Sequence, residues 1–232
     1  MLSCGKDSKL AFETKRFSNS ECSQCPEINI EIPQAIENRK ISETINNAMR
    51  EEVISLLSYD EEPLVTDIPG ALSSFNLGFE ELRKMFPDEN MPWEARIKGN
   101  IVFENKELLT IGLSSYIFTG GAHGYGSTRF LNFDKSGGEE LESNMLFKNL
   151  EKFEEYAETK FRLQEEIPIQ ESINSTGFMF EQDSFYLPEN IGFTQEGLKL
   201  LYNPYEVASY ADGTIELTLP FAEVKKFLAV GI

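Results

Sequence analysis

Histidine is nearly missing from this 232-residue chain, which has one, and its three cysteines all fall within the first 25 residues. A Ser-His-Asp triad, a two-histidine metal site or a Cys-His dyad would therefore have to run through His123 alone. No Gly-x-Ser-x-Gly elbow occurs, and no cysteine lies beyond the N-terminal stretch to serve as a nucleophile. Positive charge is also scarce. Twenty-one Lys and Arg stand against 39 Asp and Glu, a net charge of −18 and an isoelectric point near 4.5. Such a surface repels phosphate backbones, so nucleic acid is not an expected partner. No run approaches the ~20 apolar residues of a membrane-spanning helix.

What the chain does contain is enough for a folded protein. Hydrophobic residues make up 41% and charged residues 26%, and this length supplies one large core or two small ones. Met1-Leu2-Ser3-Cys4-Gly5 reads like the end of a bacterial lipoprotein signal peptide, in which a small residue precedes the cysteine that is lipidated. Cys4 is the expected lipidation site, with the apolar run ahead of it trimmed away and lipid as the sole membrane attachment. Residues 5–21 are polar and without amphipathic period, as a flexible tether would be. Cys22-Ser23-Gln24-Cys25 reads as a short-loop disulfide, a redox motif or half a metal site. A redox pair usually opens a helix, whereas Pro26 and an alternating segment follow here. Zinc needs about four ligands, and a second cysteine pair is missing. A disulfide or two idle thiols is the expectation, with no metal and no cofactor.

Hydrophobic spacing then assigns the elements. Glu27 to Ile32 alternates apolar and polar, as a half-buried strand that Pro33 should stop. Ile41, Ile45, Met49, Val53 and Leu57 recur every four residues, the stripe of an amphipathic helix. Leu72, Phe75, Phe79, Leu82 and Phe86 mark a second helix after a Pro69-Gly70 break, ended by Pro87. Two alternating segments, Trp93 to Phe103 and Leu108 to Phe118, predict a hairpin with Gly99 as a bulge or close approach. Thr119 to Gly126 is the most glycine-dense stretch and predicts a loop with positive φ angles or close backbone contact. A strand over Ser127 to Asp134 and a turn at residues 135–138 follow. Leu146, Leu150, Phe153, Ala157 and Phe161 mark a third helix, with Glu151, Glu154, Glu155 and Glu158 on its outer face. Short strands are expected at residues 184–187, 192–194, 198–203 and 214–220, with a closing helix over 221–228. The fold class is α+β, mostly antiparallel sheets with packed helices in two small subdomains.

Few of these residues suggest chemistry. The loop Gly120-Gly121-Ala122-His123-Gly124-Tyr125-Gly126 lacks the Lys-Ser/Thr of a phosphate cradle and leads into a strand, not a helix. His123 in such a loop reads first as a ring bonded to backbone, and alternatively as the lining of a cleft. Carboxylate pairs for glycoside hydrolysis are uninformative, because 39 acidic residues guarantee some proximity. Around Tyr202 to Gly213, Tyr205 and Tyr210 offer large aromatic area with polar tips, suited to packed turns and binding surfaces alike.

Three segments resemble a known pair of modules. TGGAHGYGSTRFLNFDKSGGEEL is similar to that family's glycine loop, strand and turn. FYLPENIGFTQEGLKLLYNPYEVASYADGTIELTLPFAEVKKFL is similar to its closing strand, Asn-Pro-Tyr-Glu turn and last helix. CPEINIEIPQ with ISETINNAM resembles the first strand and helix of the partner module. The family is the domain-of-unknown-function pair of lysozyme-sensing, RsiV-like anti-sigma factors, PdaC-like peptidoglycan deacetylases and free-standing envelope lipoproteins, and the resemblance spans nearly all of residues 25–230.

The resemblance implies a lipoprotein tether over residues 1–24, a PdaC-like α+β subdomain over 25–120 and an RsiV-like C-terminal subdomain over 121–232. It implies an extracytoplasmic location, lipid-anchored to the bacterial envelope, and a module that is no enzyme. Its expected partners are peptidoglycan or a basic protein such as lysozyme. His123, Asn203, Tyr205 and Glu206 match motif positions; together with Tyr125 and Tyr210 they are the candidate ligand-binding residues. The rival expectation is a cell-wall glycan hydrolase using carboxylates near the His123 loop. Oligomeric state is not readable from the sequence.

Overall fold

The computed structural model describes residues 9–19, 25–37, 39–58, 65–87 and 91–232; Cys4, Cys22 and most of the expected tether lie outside them. The fold is α+β. A six-stranded sheet has the order β1 (Phe12–Ser18), β2 (Glu27–Ala35), β3 (Glu94–Glu104), β4 (Leu108–Phe118), β5 (Tyr125–Asp134), β6 (Glu139–Leu141), and a separate three-stranded sheet the order β7 (Asn190–Phe193), β8 (Leu198–Tyr202), β9 (Ile215–Leu219). Two compact units emerge, one built from Leu10–Asn100 with Leu113–Gly126, the other from Ile101–Gly112 with Ser127–Ile232. The units are not consecutive stretches divided near residue 120, as the sequence suggests. β3 (Glu94–Glu104), β4 (Leu108–Phe118) and β5 (Tyr125–Asp134) each contribute residues to both.

In the first unit, β1 (Phe12–Ser18) pairs antiparallel with β2 (Glu27–Ala35), which pairs parallel with β3. β1 corrects the expectation of a structureless tether over these residues. Its Glu13, Thr14, Lys15 and Arg16 side chains are exposed, so main-chain bonding to β2 holds it and no burial pattern marks it in sequence. Pro33 does not stop β2 either. The parallel ladder to β3 ends at Glu31, and from Pro33 on only β1 is paired with it, so the missing N–H breaks no ladder on the β3 side.

The helix α1 (Lys40–Leu57) buries the predicted stripe, Ile41, Ile45, Met49, Val53 and Leu57, each at 5% exposure or less. Each such side chain contributes about 1.5–3 kcal/mol. Asn46 ties the helix to the end of β2: its Oδ1 accepts from Ala35 N and its Nδ2 donates to Ala35 O, both at 2.9 Å. In α2 (Ile68–Met85), Pro69 and Gly70 form the first turn and are not a break before it. Asp67 is the N-cap, accepting from Gly70 N at 2.8 Å, and proline is tolerated there because that turn's N–H groups lack helical partners. Phe75 and Phe79 pack on the fully buried Trp93, with ring centroids 5.1 and 5.9 Å apart. Gly99 is a close-approach point: a Cβ there would stand 2.7 Å from Pro33 Cδ.

In the second unit, β5 pairs antiparallel with the short β6 (Glu139–Leu141). A 3-10 turn over Ser143–Leu146 precedes α3 (Leu150–Gln164), so the expected single helix is two pieces, separated where Asn149 caps α3 by accepting from Lys152 N. Leu146 belongs to the buried core and Leu150 is exposed. Three strands follow, β7 (Asn190–Phe193), β8 (Leu198–Tyr202) and β9 (Ile215–Leu219), then the single-turn α4 (Phe221–Val224). Residues 184–187 are irregular, not a strand; Phe185 is still buried, against Phe161 and Phe180. Phe153, Phe161, Phe193 and Tyr202 anchor this core.

The C-terminus of α3 carries a specific cap. Ile167 N donates to Arg162 O at 2.9 Å, the long-range bond of a Schellman motif, and Glu166 occupies the left-handed position at φ 55° where glycine is usual. Pro168 follows and ends the helix.

Candidate functional site

The glycine loop belongs to the first unit, and each glycine there has a separate reason. Gly120 and Gly121 take φ angles of 105° and 83°, in the region that favours glycine. Gly124 is negative in φ but buried, and a Cβ on it would lie 2.5 Å from Tyr116 Cζ. The Tyr116 ring in turn carries the Arg96 guanidinium 4.7 Å from its centroid. His123 is exposed, with Nδ1 3.1 Å from Gly124 O. That is the backbone-bonded histidine of the simpler sequence reading. Tyr125 opens β5, 39% exposed.

Asn203, Tyr205, Glu206 and Tyr210 lie together in the second unit, on the segment that leaves β8. Asn203 is buried. Its Oδ1 accepts from Thr128 N at 2.8 Å, and its Nδ2 donates to Thr128 O at 3.1 Å. The amide thus imitates a backbone pair and completes the edge of β5. Two residues along the strand, Phe130 N donates to Asn190 Oδ1 at 3.4 Å, and two further on Asn132 Nδ2 donates to Ile191 O at 2.7 Å. Asn132 Oδ1 also accepts from the buried Thr110 hydroxyl. Three asparagines therefore stitch alternate residues of β5 to the β7–β8 hairpin and the segment leaving it, two of them ahead of Asn132, where the pairing with β6 begins. Asn132 falls in an Asn-Phe-Asp stretch of the resemblance, but neither it nor Asn190 is among the candidate residues, because a stitching amide has no period to mark its role.

The turn held by Asn203 presents one aromatic outward, Tyr205, with Tyr210 half-buried beside it. Tyr205 is 58% exposed with φ 72°, a backbone state costly for a bulky residue. Its ring lies 5.5 Å from that of Tyr210. Beneath the turn, Tyr202 OH donates to Tyr186 O and Tyr186 OH donates to Glu206 O. Burial pushes the Tyr202 and Tyr186 hydroxyls above their ordinary range, so both stay protonated as donors. Ser209 and Asp212 close a capping box over the short helical turn at Tyr210.

Glu206 is raised above the usual carboxylate range, chiefly by desolvation and also by Glu189, while Asn203 and Arg129 act in the opposite sense. A carboxyl with a raised folded pKa binds its proton more tightly folded than unfolded. Its contribution to stability is present at low pH and is lost as pH rises through the folded pKa. Glu206→Gln is therefore expected to remove this loss: thermal melts of the variant should show a shallower decline from acid toward neutral pH than the wild type.

Cys25 is disulfide-bonded, and the other two cysteines lie outside the described residues. Among the described residues no group of three His, Cys, Asp or Glu side chains is placed to hold a metal, and no helix is long and apolar enough to cross a membrane.

Comparison with known proteins agrees with this architecture. The family model described as Deacetylase PdaC matches residues 19–125, and that of a protein of unknown function, DUF3298, matches residues 142–222. The chain thus carries the module pair that its sequence resembles, a pair of bacterial envelope-associated domains. A DUF3298 family member from Bacteroides fragilis superposes with a TM-score of 0.73 at 19% identity, over 97% of this chain and 96% of that one. A DUF3298 family protein from Pseudomonas aeruginosa PAO1 superposes with a TM-score of 0.67 at 22% identity, over 96% and 95%. At these identities the likeness is one of fold. A comparison with the curated proteins finds no match.

Proposed function

We propose that this protein is a lipid-anchored, non-catalytic module of the bacterial envelope that captures a cationic protein such as lysozyme on its second unit. One observation carries the reading. The polar groups of Asn203, Ser209 and Asp212 are engaged in holding the turn together, while Tyr205 is exposed on it with the half-buried Tyr210 ring beside it. An exposed aromatic ring backed by a second and set beside carboxylates suits Lys and Arg side chains, through cation–π contact and charge. Peptidoglycan, the other expected partner, is favoured less, because its stem-peptide carboxylates meet a chain of net charge −18. The backbone contact of His123 Nδ1 supports a structural role for that residue over one in glycan hydrolysis.

The test is a binding measurement with the full chain, using lysozyme and purified peptidoglycan in parallel. Lysozyme should bind, with affinity falling about tenfold or more between ~0.05 and ~0.3 M salt, because the Debye length shortens over that range. Retention on peptidoglycan without lysozyme binding would replace the cationic partner with the glycan. Release of soluble fragments from peptidoglycan would replace the non-catalytic reading altogether.

A further inference from the structure

Where the β1–β2 pair meets α1 and the start of α2, the first unit has a half-open cleft of about 240 Å3. Its walls are apolar. Ile32 comes from β2, Met49 from α1 and Ile68 from the first turn of α2, all three buried, and the half-buried Phe17 ring and Pro33 complete the lining. Alternation along β1 puts Lys15 and Phe17 on one face, and the register sets Lys15 opposite Ile32. A dry apolar cavity of ~150 Å3 already accepts benzene, so this one has room for a chain on the order of eight carbons.

The polar groups at the mouth are of two kinds. Asn46 and Asp67 are spent on the fold: Asn46 bonds both main-chain groups of Ala35, and Asp67 Oδ1 caps Gly70 N, where its charge meets the positive end of α2. Lys15 and Arg50 keep donors to spare. Lys15 is exposed and its ammonium makes no ion pair among the described residues; Nζ stands 5.4 Å from the centroid of the Phe17 ring, which holds the charge over a wall of the cleft. Arg50 donates from Nη1 to Asn47 Oδ1 at 2.9 Å, and its Nη2 is 3.7 Å from Glu51, a carboxylate that is 73% exposed and does not line the cleft. Asn46, Met49 and Arg50 are spaced three and four apart on α1, so the turn that supplies the apolar wall also delivers the guanidinium to the rim. Glu13 precedes Lys15 on the same face of β1, opposite Gln34, and stays outside the lining, while Arg16 on the other face is paired with Glu31. In a chain of net charge −18, two cations with uncommitted donors thus meet one carboxylate that is already bonded.

We propose that this cleft binds a small single-chain amphiphile with an anionic head, its tail packed against Ile32, Met49 and Ile68 and its head held by Lys15 and Arg50. Walls and rim each exclude a class of ligand. A sugar or a peptide would bury its polar groups against side chains that offer no partners. An ammonium head would face Lys15 and Arg50 and be repelled. A neutral chain fits the walls but leaves both cations without a counter-charge. Every lining residue belongs to the first unit, so the site stands whether or not the second unit captures a cationic protein.

Calorimetric titration of the full chain with octanoate and with octyl phosphate tests this. One amphiphile per chain should bind, 1-octanol about tenfold more weakly, since it forgoes the charge-assisted bonds, and octylamine not measurably. Either anion bound above the alcohol supports the site, and the tighter of the two identifies the head. Lys15→Gln with Arg50→Gln should bring octanoate down to the level of octanol, leave octanol unchanged and keep the melting temperature level. Lys84→Gln, in the last turn of α2, should bind as the wild type does. In the wild type, octanoate should shift the methyl resonances of Met49 and Ile68, a readout that needs no variant to fold. Octanol bound as tightly as octanoate, no saturable binding of either anion, methyl shifts that spare Met49 and Ile68, or octanoate binding that survives Lys15→Gln with Arg50→Gln overturns the proposal. Capture on phosphatidylglycerol vesicles with neither soluble anion bound overturns it in favour of a membrane surface.

Discussion

Replacing Asn203 with alanine is expected to lower the unfolding free energy by about 3 kcal/mol, because two half-buried backbone groups lose their partners at once and each costs ~1–3 kcal/mol, toward the lower end at partial burial. Asn203 Oδ1 and Nδ2 together satisfy the N–H and the carbonyl of Thr128. Alanine leaves both on a strand edge that β6 does not reach, since its pairing covers only Asn132 to Asp134. Denaturant melts read the loss directly. Asn203→Asp separates the two bonds. A carboxylate still accepts from Thr128 N but opposes Thr128 O and Glu206, so that variant should lose most stability at neutral pH and recover part of it in acid, where its carboxyl can donate. A pH-independent penalty in Asn203→Asp, or an Asn203→Ala melt indistinguishable from wild type, would remove the stitching role.

Gly192→Ala should be comparably damaging, on the order of 3 kcal/mol, at the high end of overpacking penalties. A Cβ at that position would lie 2.3 Å from Phe130 Cγ and 2.7 Å from Phe130 Cβ. The clash is with the root of the side chain, where rotation about the outer bonds gives no relief, so β7 itself must move. Such movement would pull Asn190 and Ile191 away from their partners Phe130 and Asn132. The expected result is a lower melting temperature together with faster hydrogen exchange at Phe130 N. A merely local effect would lower the melting temperature and leave that amide protected.

Much of the fold is legible where burial has a period. The α1 stripe from Ile41 to Leu57 is a direct consequence of 3.6-residue spacing, and the β3–β4 hairpin follows from alternation on either side of Glu104 to Glu107. Legibility fails where main-chain bonding or a side-chain amide does the work. β1 has almost no buried face, and Pro69 looks like a break unless Asp67 is recognised as the cap. The separation of the 3-10 turn from α3 depends on Asn149 capping inside an otherwise continuous apolar pattern. In the candidate site, the resemblance pointed to Asn203 and Glu206 by motif, but their roles as staple and partly desolvated acid come from geometry. Leu163 and Ile169 are exposed for separate reasons: Leu163 sits off the Phe153–Ala157–Phe161 stripe that α3 buries, and Ile169 lies beyond the Schellman cap at Glu166, outside any period.

β1 illustrates what such a division of labour permits. Its course is fixed residue by residue against β2, from Phe12 opposite Ala35 to Ser18 opposite Asn29, yet Glu13 to Arg16 contribute little to any interior. Letters in that ribbon can be exchanged widely without altering its path, so long as proline is kept from the amides that face its neighbour. Related chains are thus free to diverge there in spelling while preserving the same trace, and an alignment would rank as dispensable a piece that closes one border of the larger sheet.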